Sequence, residues 1–169
     1  AAPVAIDYTE VEQVTSDMLT EDSFFHFEIF GDNYHTEPII GFAWGTKGQL
    51  YASTDTGLLQ TPIFKEFLEK TPLKVYDFKR AKVLLSHLGI SLQNPAFDSR
   101  LAKYLLSTVE DNEISTIASL YSQIALPLDE VVYGKGVKKA IPEKAVLLEH
   151  LARKAAVLLD TEEPMMEQL

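Results

Sequence analysis

The chain has 169 residues, 46% of them hydrophobic, which is enough for one domain with a full core. It has no cysteine and no apolar run near the roughly 20 residues that cross a bilayer, which excludes disulfides, thiolate chemistry, zinc-finger-type sites and a membrane span. Its formal net charge of −10 argues against a free-standing nucleic-acid binder, because phosphate contacts need a face of Lys and Arg.

The first half of the chain reads as strands. Val11–Val14 is a strand candidate, and a short helix is predicted near Ser16–Leu19. Phe24–Phe30 (FFHFEIF) meets the criteria of a strand, and Gly31-Asp32-Asn33 turns the chain after it. Ile39–Trp44 and Gln49–Ser53 then form a predicted hairpin across a four-residue turn that contains two glycines.

Strand Phe24–Phe30 carries a carboxylate, Glu28, among apolar neighbours. Alternation divides the strand into one face with Phe25, Phe27 and Ile29 and a second with Phe24, His26, Glu28 and Phe30. Burial of a carboxylate is costly unless a partner pairs with it or a ligand binds it. Glu28 therefore either faces a cleft or belongs to a site. The aromatic residues of the strand, and Trp44, are predicted to lie in the core.

The second half is mostly helical. Its predicted elements are helix Thr61–Lys70, strand Leu73–Phe78, helix Lys79–Leu88 ended by Gly89, helices Phe97–Ser107 and Ile114–Gln123, and a last helix from Pro142 to the end of the chain. Strands followed by a crossover helix, another strand and helices indicate an α/β three-layer or α+β arrangement. No linker interrupts residues 1–169, so we predict one domain. The missing initiator Met and the final residues, which still read as helix, indicate a fragment of a longer chain. The absence of cysteine, of a membrane-length apolar run and of a signal-peptide pattern indicates a reducing compartment such as the cytoplasm.

Several distinctive segments follow one another along the chain in an order that is typical of one family. They are FFHFEIF, IIGFAWG, Val75–Leu92 (VYDFKRAKVLLSHLGISL), Ala96–Leu106 (AFDSRLAKYLL), Tyr133–Gly136 (YGKG) and Leu147–Leu159 (LLEHLARKAAVLL). In combination they resemble the 3′–5′ exonuclease domain of family A DNA polymerases, the bacterial DNA polymerase I type. The resemblance covers essentially the whole chain. It implies an RNase H-like three-layer α/β fold, with a mixed β-sheet flanked by helices.

The resemblance also implies the positions of a metal site. Active members hydrolyse a terminal phosphodiester with two Mg²⁺ or Mn²⁺ ions held by four acids, with a tyrosine near the attacking water. The acid-x-acid pair corresponds to His26 and Glu28, the third acid to Ala81, the fourth to Leu151, and the tyrosine to Leu147. One acid of four remains, so the resemblance implies an inactive site with no catalytic residue, metal or cofactor. Ala81, Leu147 and Leu151 would fill the pocket as core residues.

Other residues leave alternatives open. Asp77 and Asp98 lie near the vestigial positions and could assist Glu28 in a weak or altered metal-dependent exonuclease that acts on single-stranded DNA ends. His26 and Glu28 could form half of a transition-metal site, with His35 as a third ligand. We favour a hydrogen-bonded His26–Glu28 pair in a closed cleft.

Two histidines, a basic loop and the two glycines within that loop are expected to have roles other than catalysis. His87 and His150 are expected to be solvated or capping groups. The basic loop Lys135–Lys139 could touch DNA, pack against a polymerase domain or be solvated. Gly134 and Gly136 within it are expected to serve backbone turns.

The leading functional hypothesis is a vestigial proofreading domain. It would serve as a structural domain of a DNA-directed DNA polymerase, a nucleotidyltransferase of replication and repair. Its partner would be the polymerase domain of the same parent chain, and DNA would be contacted through that parent. A free-standing protein-interaction module on the same fold is a further alternative.

Overall fold

A mixed six-stranded sheet forms the middle layer of the computed structural model, which describes residues 4–169. The strands are β1 (Thr9–Glu10), β2 (Phe24–Ile29), β3 (Ile39–Thr46), β4 (Gln49–Ser53), β5 (Leu73–Val75) and β6 (Pro95–Asp98). Their spatial order is β1-β4-β3-β2-β5-β6. β2, β3 and β4 pair antiparallel, whereas the β1–β4, β2–β5 and β5–β6 pairs are parallel.

Helices cover both faces of the sheet. They are α1 (Pro62–Lys70), α2 (Phe78–Ser86), α3 (Ser99–Leu106), α4 (Ile114–Tyr121), α5 (Asp129–Tyr133) and α6 (Lys144–Gln168), with short 3-10 helices at Ser16–Met18, Thr56–Gln60 and Gly136–Lys138. The side chains of α1 and α2 join one core with Phe25, Phe27 and Ile29. Those of α4, α5 and α6 join a second core with Phe24. The predicted three-layer α/β arrangement is therefore confirmed.

All six residues of β2 are buried, because helices lie on both sides of it. The alternation predicted for this strand holds, since its odd-numbered and even-numbered aromatic residues enter different cores. Trp44 is fully buried as predicted, and its indole N–H donates to the carbonyl of Met18 at 2.8 Å.

Some predicted boundaries were wrong. The first strand is Thr9–Glu10 rather than Val11–Val14, although Val11 still donates a backbone hydrogen bond to Ala52. Phe97 lies in β6 rather than in a helix, because the Asp98 side chain caps α3 and starts that helix at Ser99. The short helix α5 was not predicted. Within residues 4–169, no helix is long and apolar enough to span a membrane.

Helix α6 approaches the sheet closely at Gly41, which pairs with Glu28 across β2 and β3. A Cβ atom at Gly41 would lie 2.7 Å from Cδ1 of Leu151 and 3.3 Å from the carbonyl oxygen of Ser53. Leu151 is fully buried, so its side chain has little room to move away. Glycine at position 41 therefore sets the distance between α6 and the strand that carries Glu28.

Gly41→Ala should lower the free energy of unfolding by about 1–3 kcal/mol, because the added methyl group overpacks this contact. Gly48→Ala is the matched control, since a Cβ atom there would meet no atom within 4 Å. Urea unfolding of both variants measures the difference. Equal stability of the two variants would contradict the close approach.

Candidate functional site

The carboxylate of Glu28 lies inside the protein, where only 3% of the residue is exposed. Nε2 of His26 lies 2.8 Å from its Oε1, and the Tyr133 hydroxyl donates to Oε2 at 2.7 Å. The ammonium group of Lys154 donates to both oxygens, at 3.1 and 2.8 Å. The hydrogen-bonded His26–Glu28 pair predicted from the sequence is therefore present, but it belongs to a larger network.

Burial and charge act in opposite directions on these groups. Burial raises the pKa of Glu28, but the Lys154 charge and the His26 hydrogen bond outweigh it and hold that pKa well below its ordinary value. Burial lowers the pKa of Lys154, but Glu28 and Asp129 outweigh it and raise that pKa. Burial also lowers the pKa of His26, against the opposing effect of Glu28. Near neutral pH the site thus holds a carboxylate, an ammonium and a neutral imidazole.

A second carboxylate, Asp129 at the start of α5, completes the network. Its Oδ1 accepts from the Lys154 ammonium at 2.9 Å and lies 2.8 Å from Nε2 of His150. Burial raises the pKa of Asp129, but the His150 hydrogen bond and the Lys154 charge lower it further than burial raises it. His150 is 4% exposed, so the prediction that it is solvated was wrong. The network joins β2, α5 and α6.

The α6 residues in this network are one turn later than the resemblance implied. Leu147 and Leu151 are buried in the core behind the sheet, and Leu151 packs against Gly41. His150 and Lys154, each three residues later, are the α6 side chains that face the two carboxylates. Three residues is nearly one helical turn, so the expected and observed residues lie on adjacent parts of the same helix surface.

The sequence carried a signal for Lys154 that was missed. It stands among apolar residues at helical spacing, Leu147, Leu151 and Leu158, so it lies on the buried stripe of α6. A lysine on a buried stripe requires a buried acid, and Glu28 is such an acid. Asp129 and Tyr133 gave no comparable signal, because they lie in a segment that the pattern left irregular.

The remaining candidate acids cap helices. Asp98 accepts from the backbone N–H groups of Leu101 and Phe78, both at 2.9 Å. Asp77 accepts from the backbone N–H of Arg80 at 3.3 Å. Both carboxylates therefore satisfy backbone groups at the starts of α3 and α2. Neither belongs to the group of close ligand atoms around Glu28 in the described part of the chain.

Ala81 and the remaining histidines occupy separate places. Ala81 is buried in α2 and lines, with His26, a void of only about 10 Å³. His35 is exposed and rests against the ring of Tyr34, so it does not join His26 in a site. His87 is exposed at the end of α2, as predicted.

A cleft of about 560 Å³ opens beside Glu28, so the expectation of a closed cleft was wrong. The basic loop lies at this cleft, where the Lys139 ammonium sits 5.2 Å from the centre of the Phe30 ring. Gly134 and Gly136 of the loop have φ angles of +83° and +56°, in agreement with their predicted role in turns.

Glu28, Asp129 and His150 could together hold a metal ion, because one ligand atom from each lies within 4.8 Å of the others. The ammonium of Lys154, however, is bonded to both carboxylates of this set. A divalent cation bound there would meet a positive charge at close range. Nδ1 of His150 also has no hydrogen-bond partner within residues 4–169, whereas a ligating imidazole normally donates through its second nitrogen. The residues present do not fit a divalent cation.

The buried pair can be tested by a double-mutant cycle. Glu28→Gln and Lys154→Met should each lower the free energy of unfolding by about 3–5 kcal/mol, because each leaves the other group buried without its main partner. The double variant should lose less than the sum of the two, with a coupling above about 1 kcal/mol. The exposed Glu66–Lys70 pair, at 2.8 Å, is the control and should show no measurable coupling in urea unfolding. Additive losses at positions 28 and 154 would contradict the pairing.

The same groups predict the pH dependence of stability. Protonation of His26 favours the unfolded chain, so stability should fall as the pH drops below about 6.5. The contribution of Glu28 is present above about pH 4.5 and is lost as the pH falls through its lowered pKa. That of Lys154 is present below about pH 10.5 and is lost as the pH rises through its raised pKa. The urea midpoint should be highest between about pH 6.5 and pH 10.5. In the double variant Glu28→Gln/Lys154→Met the midpoint should change less with pH in the acidic range below about pH 4.5 and in the alkaline range above about pH 10.5.

Comparison with known proteins gives the family. A family model described as DNA polymerase I, ribonuclease H-like domain, matches residues 25–161. The chain is 64% identical over 164 residues to DNA polymerase I of Streptococcus pneumoniae (strain ATCC BAA-255 / R6), a match that covers 97% of the chain and 19% of that protein. It is 36% identical over 167 residues to DNA polymerase I of Geobacillus stearothermophilus, with 97% and 19% covered. The chain thus spans about one fifth of the length of these relatives.

Solved structures share the fold at low sequence identity. Brucella melitensis NrnC with bound Mg²⁺ is 14% identical with a TM-score of 0.70, and the match covers 96% of this chain and 79% of that one. A structure described as the POL domain of Pol1 from M. smegmatis, in complex with DNA primer-template and dNTP, is 17% identical with a TM-score of 0.60, and the match covers 90% of this chain and 25% of that one. The RNase H-like fold implied by the resemblance is therefore confirmed. The chain belongs to the DNA polymerase I, ribonuclease H-like domain family.

Proposed function

We propose that this chain is a catalytically inactive exonuclease-type domain that serves as a structural part of a DNA polymerase I. The observation that carries the proposal is the position of the Lys154 ammonium, which is bonded to Glu28 and Asp129. A two-metal nuclease needs carboxylates that are free to ligate hard divalent cations. Here Glu28 and Asp129 already have a cation as partner, and that cation is a side chain.

The charges and hydrogen bonds of the network also disfavour the roles that hydrolysis requires of its members. A general base must accept a proton from water near neutral pH, but the pKa of Glu28 is held well below its ordinary value. The Tyr133 hydroxyl donates to Glu28, and burial together with the Glu28 charge raises its pKa. His26 is neutral, yet its Nε2 is engaged by Glu28. Glu28 and Tyr133 are therefore poorly suited to activate water.

The relatives support a role within a longer chain. Those named above are called DNA polymerase I and are about five times as long as the part matched here, since 19% of each is covered. The parent would be a DNA-directed DNA polymerase, a nucleotidyltransferase of replication and repair in the cytoplasm. DNA would be contacted through the polymerase domain of that parent. This context favours a structural domain over a free-standing interaction module.

An exonuclease assay tests the proposal. Micromolar protein should leave a 3′-labelled single-stranded oligonucleotide intact in Mg²⁺ or Mn²⁺. Neither ion should raise the melting temperature, because Lys154 is bonded to both carboxylates of the candidate metal set found within residues 4–169. Shortening of the oligonucleotide that is abolished by Glu28→Ala would overturn the proposal. That outcome would favour the weak exonuclease, for which the open cleft of about 560 Å³ leaves room.

Lys154→Ala is the matched variant for the metal readout. Removal of the Lys154 ammonium leaves the Glu28 and Asp129 carboxylates without that partner. Their ligand atoms and that of His150 already lie close together. We therefore expect Mn²⁺ or Zn²⁺ to raise the melting temperature of Lys154→Ala but not that of the wild-type chain or of Lys154→Ala/Glu28→Gln. A metal-dependent rise in the wild-type chain would show that the ammonium does not exclude the ion.

A further inference from the structure

Helix α3 exposes three of its four large apolar residues. Leu101, Tyr104 and Leu105 are 55%, 67% and 64% exposed, and their i, i+3 and i+4 spacing places them on one face. The opposite face is buried and contains Ala102 and Lys103, the latter with no exposed surface. An amphipathic helix normally buries its large apolar residues and exposes its charges. In α3 three large apolar residues are exposed while Lys103 is buried, which is the reverse of this relation.

Two polar interactions fix this orientation. The Lys103 ammonium turns inward and donates to the carbonyl of Val109 and to Oδ1 of Asn112, the second at 3.0 Å, so it holds the segment that follows α3. At the other end, the Asp98 carboxylate caps α3 and also accepts from the backbone of Phe78 on α2. Rotation of α3 to bury its leucines would break both interactions and expose the buried face. The outward position of the apolar face is therefore built into the fold.

We propose that this face, Leu101, Tyr104 and Leu105, is the surface on which the polymerase-bearing remainder of the parent chain packs. The inference rests on the proposed function and specifies the contact. Exposed leucines side by side on one helix indicate an interface, and leucine and tyrosine provide large apolar contact areas. The occupant is assigned to the parent chain because about four fifths of each named relative lies outside the matched region. Such a partner would present an apolar surface with an acceptor for the Tyr104 hydroxyl.

Photo-crosslinking in the full-length polymerase tests the contact. p-Benzoylphenylalanine in place of Tyr104 or Leu105 should form intrachain crosslinks, identified by mass spectrometry, to peptides beyond residue 169. The control position is Val131 on α5, which is 72% exposed but lies outside this face, and it should give few or none. Absence of such crosslinks from positions 104 and 105, or crosslinks that join two copies, would overturn the proposal.

A stability measurement supplies a second readout. Leu105→Asp in the full-length polymerase should lower the melting temperature by about 3 °C or more, because it places a charge in an apolar contact. Val131→Asp should leave the melting temperature unchanged, and an equal effect of the two variants would contradict the assignment. Exonuclease activity of the same preparation is assayed separately. Activity that requires Glu28 would refute the inactive-domain proposal, whereas absent crosslinks in an inactive protein would refute only the assignment of this face.

Discussion

The contact on which the structure depends is the buried ion pair between Glu28 and Lys154. Neither charge could remain ionised alone at this depth, since the cost of removing an isolated charge from water far exceeds the gain from most packing contacts. Together, with hydrogen bonds from Tyr133 and the charge of Asp129, they hold each other in the ionised state. The pair also connects a central strand to the longest helix, so it contributes to the register between sheet and helix layer.

This arrangement explains how the fold tolerates acids in its interior. In a metal-dependent enzyme, divalent cations neutralise a cluster of buried carboxylates. Here a side chain of the protein itself provides the positive charge, at 2.8–3.1 Å from both Glu28 oxygens. The folded state then needs no ion from solution to balance Glu28. Unlike a bound ion, the ammonium cannot dissociate, and it has no open coordination position to offer to water or phosphate.

The sequence predicted the parts of this site that depend on local pattern. Strand alternation placed His26 and Glu28 on one face, and the segment order identified the fold and the family. The contacts of Glu28 with Tyr133 and Lys154 could not be predicted from local pattern, because these residues lie 105 and 126 positions away from it in the sequence. Pattern within a helix also cannot fix how α6 is positioned along the sheet, which the packing of Leu151 against Gly41 and the contacts of Lys154 decide. The cleft volume depends on loop conformation, which periodicity does not encode.

Two buried lysines, Lys103 and Lys154, show why burial of charge is informative. Lys154 meets two carboxylates, whereas Lys103 meets a backbone carbonyl and an amide oxygen and, among the described residues 4–169, no carboxylate. The first lysine balances charge, and the second instead fixes the orientation of α3. Because an unpaired ammonium in the interior is costly, the Lys103 arrangement persists only if the alternative orientation of α3 is worse or the exposed leucines gain contacts elsewhere. Within the isolated domain, the exposed Leu101 and Leu105 have no such gain. The proposed packing of the parent chain on this apolar face would supply that gain, and it is the point at which the buried Lys103 and the exposed leucines have one common explanation.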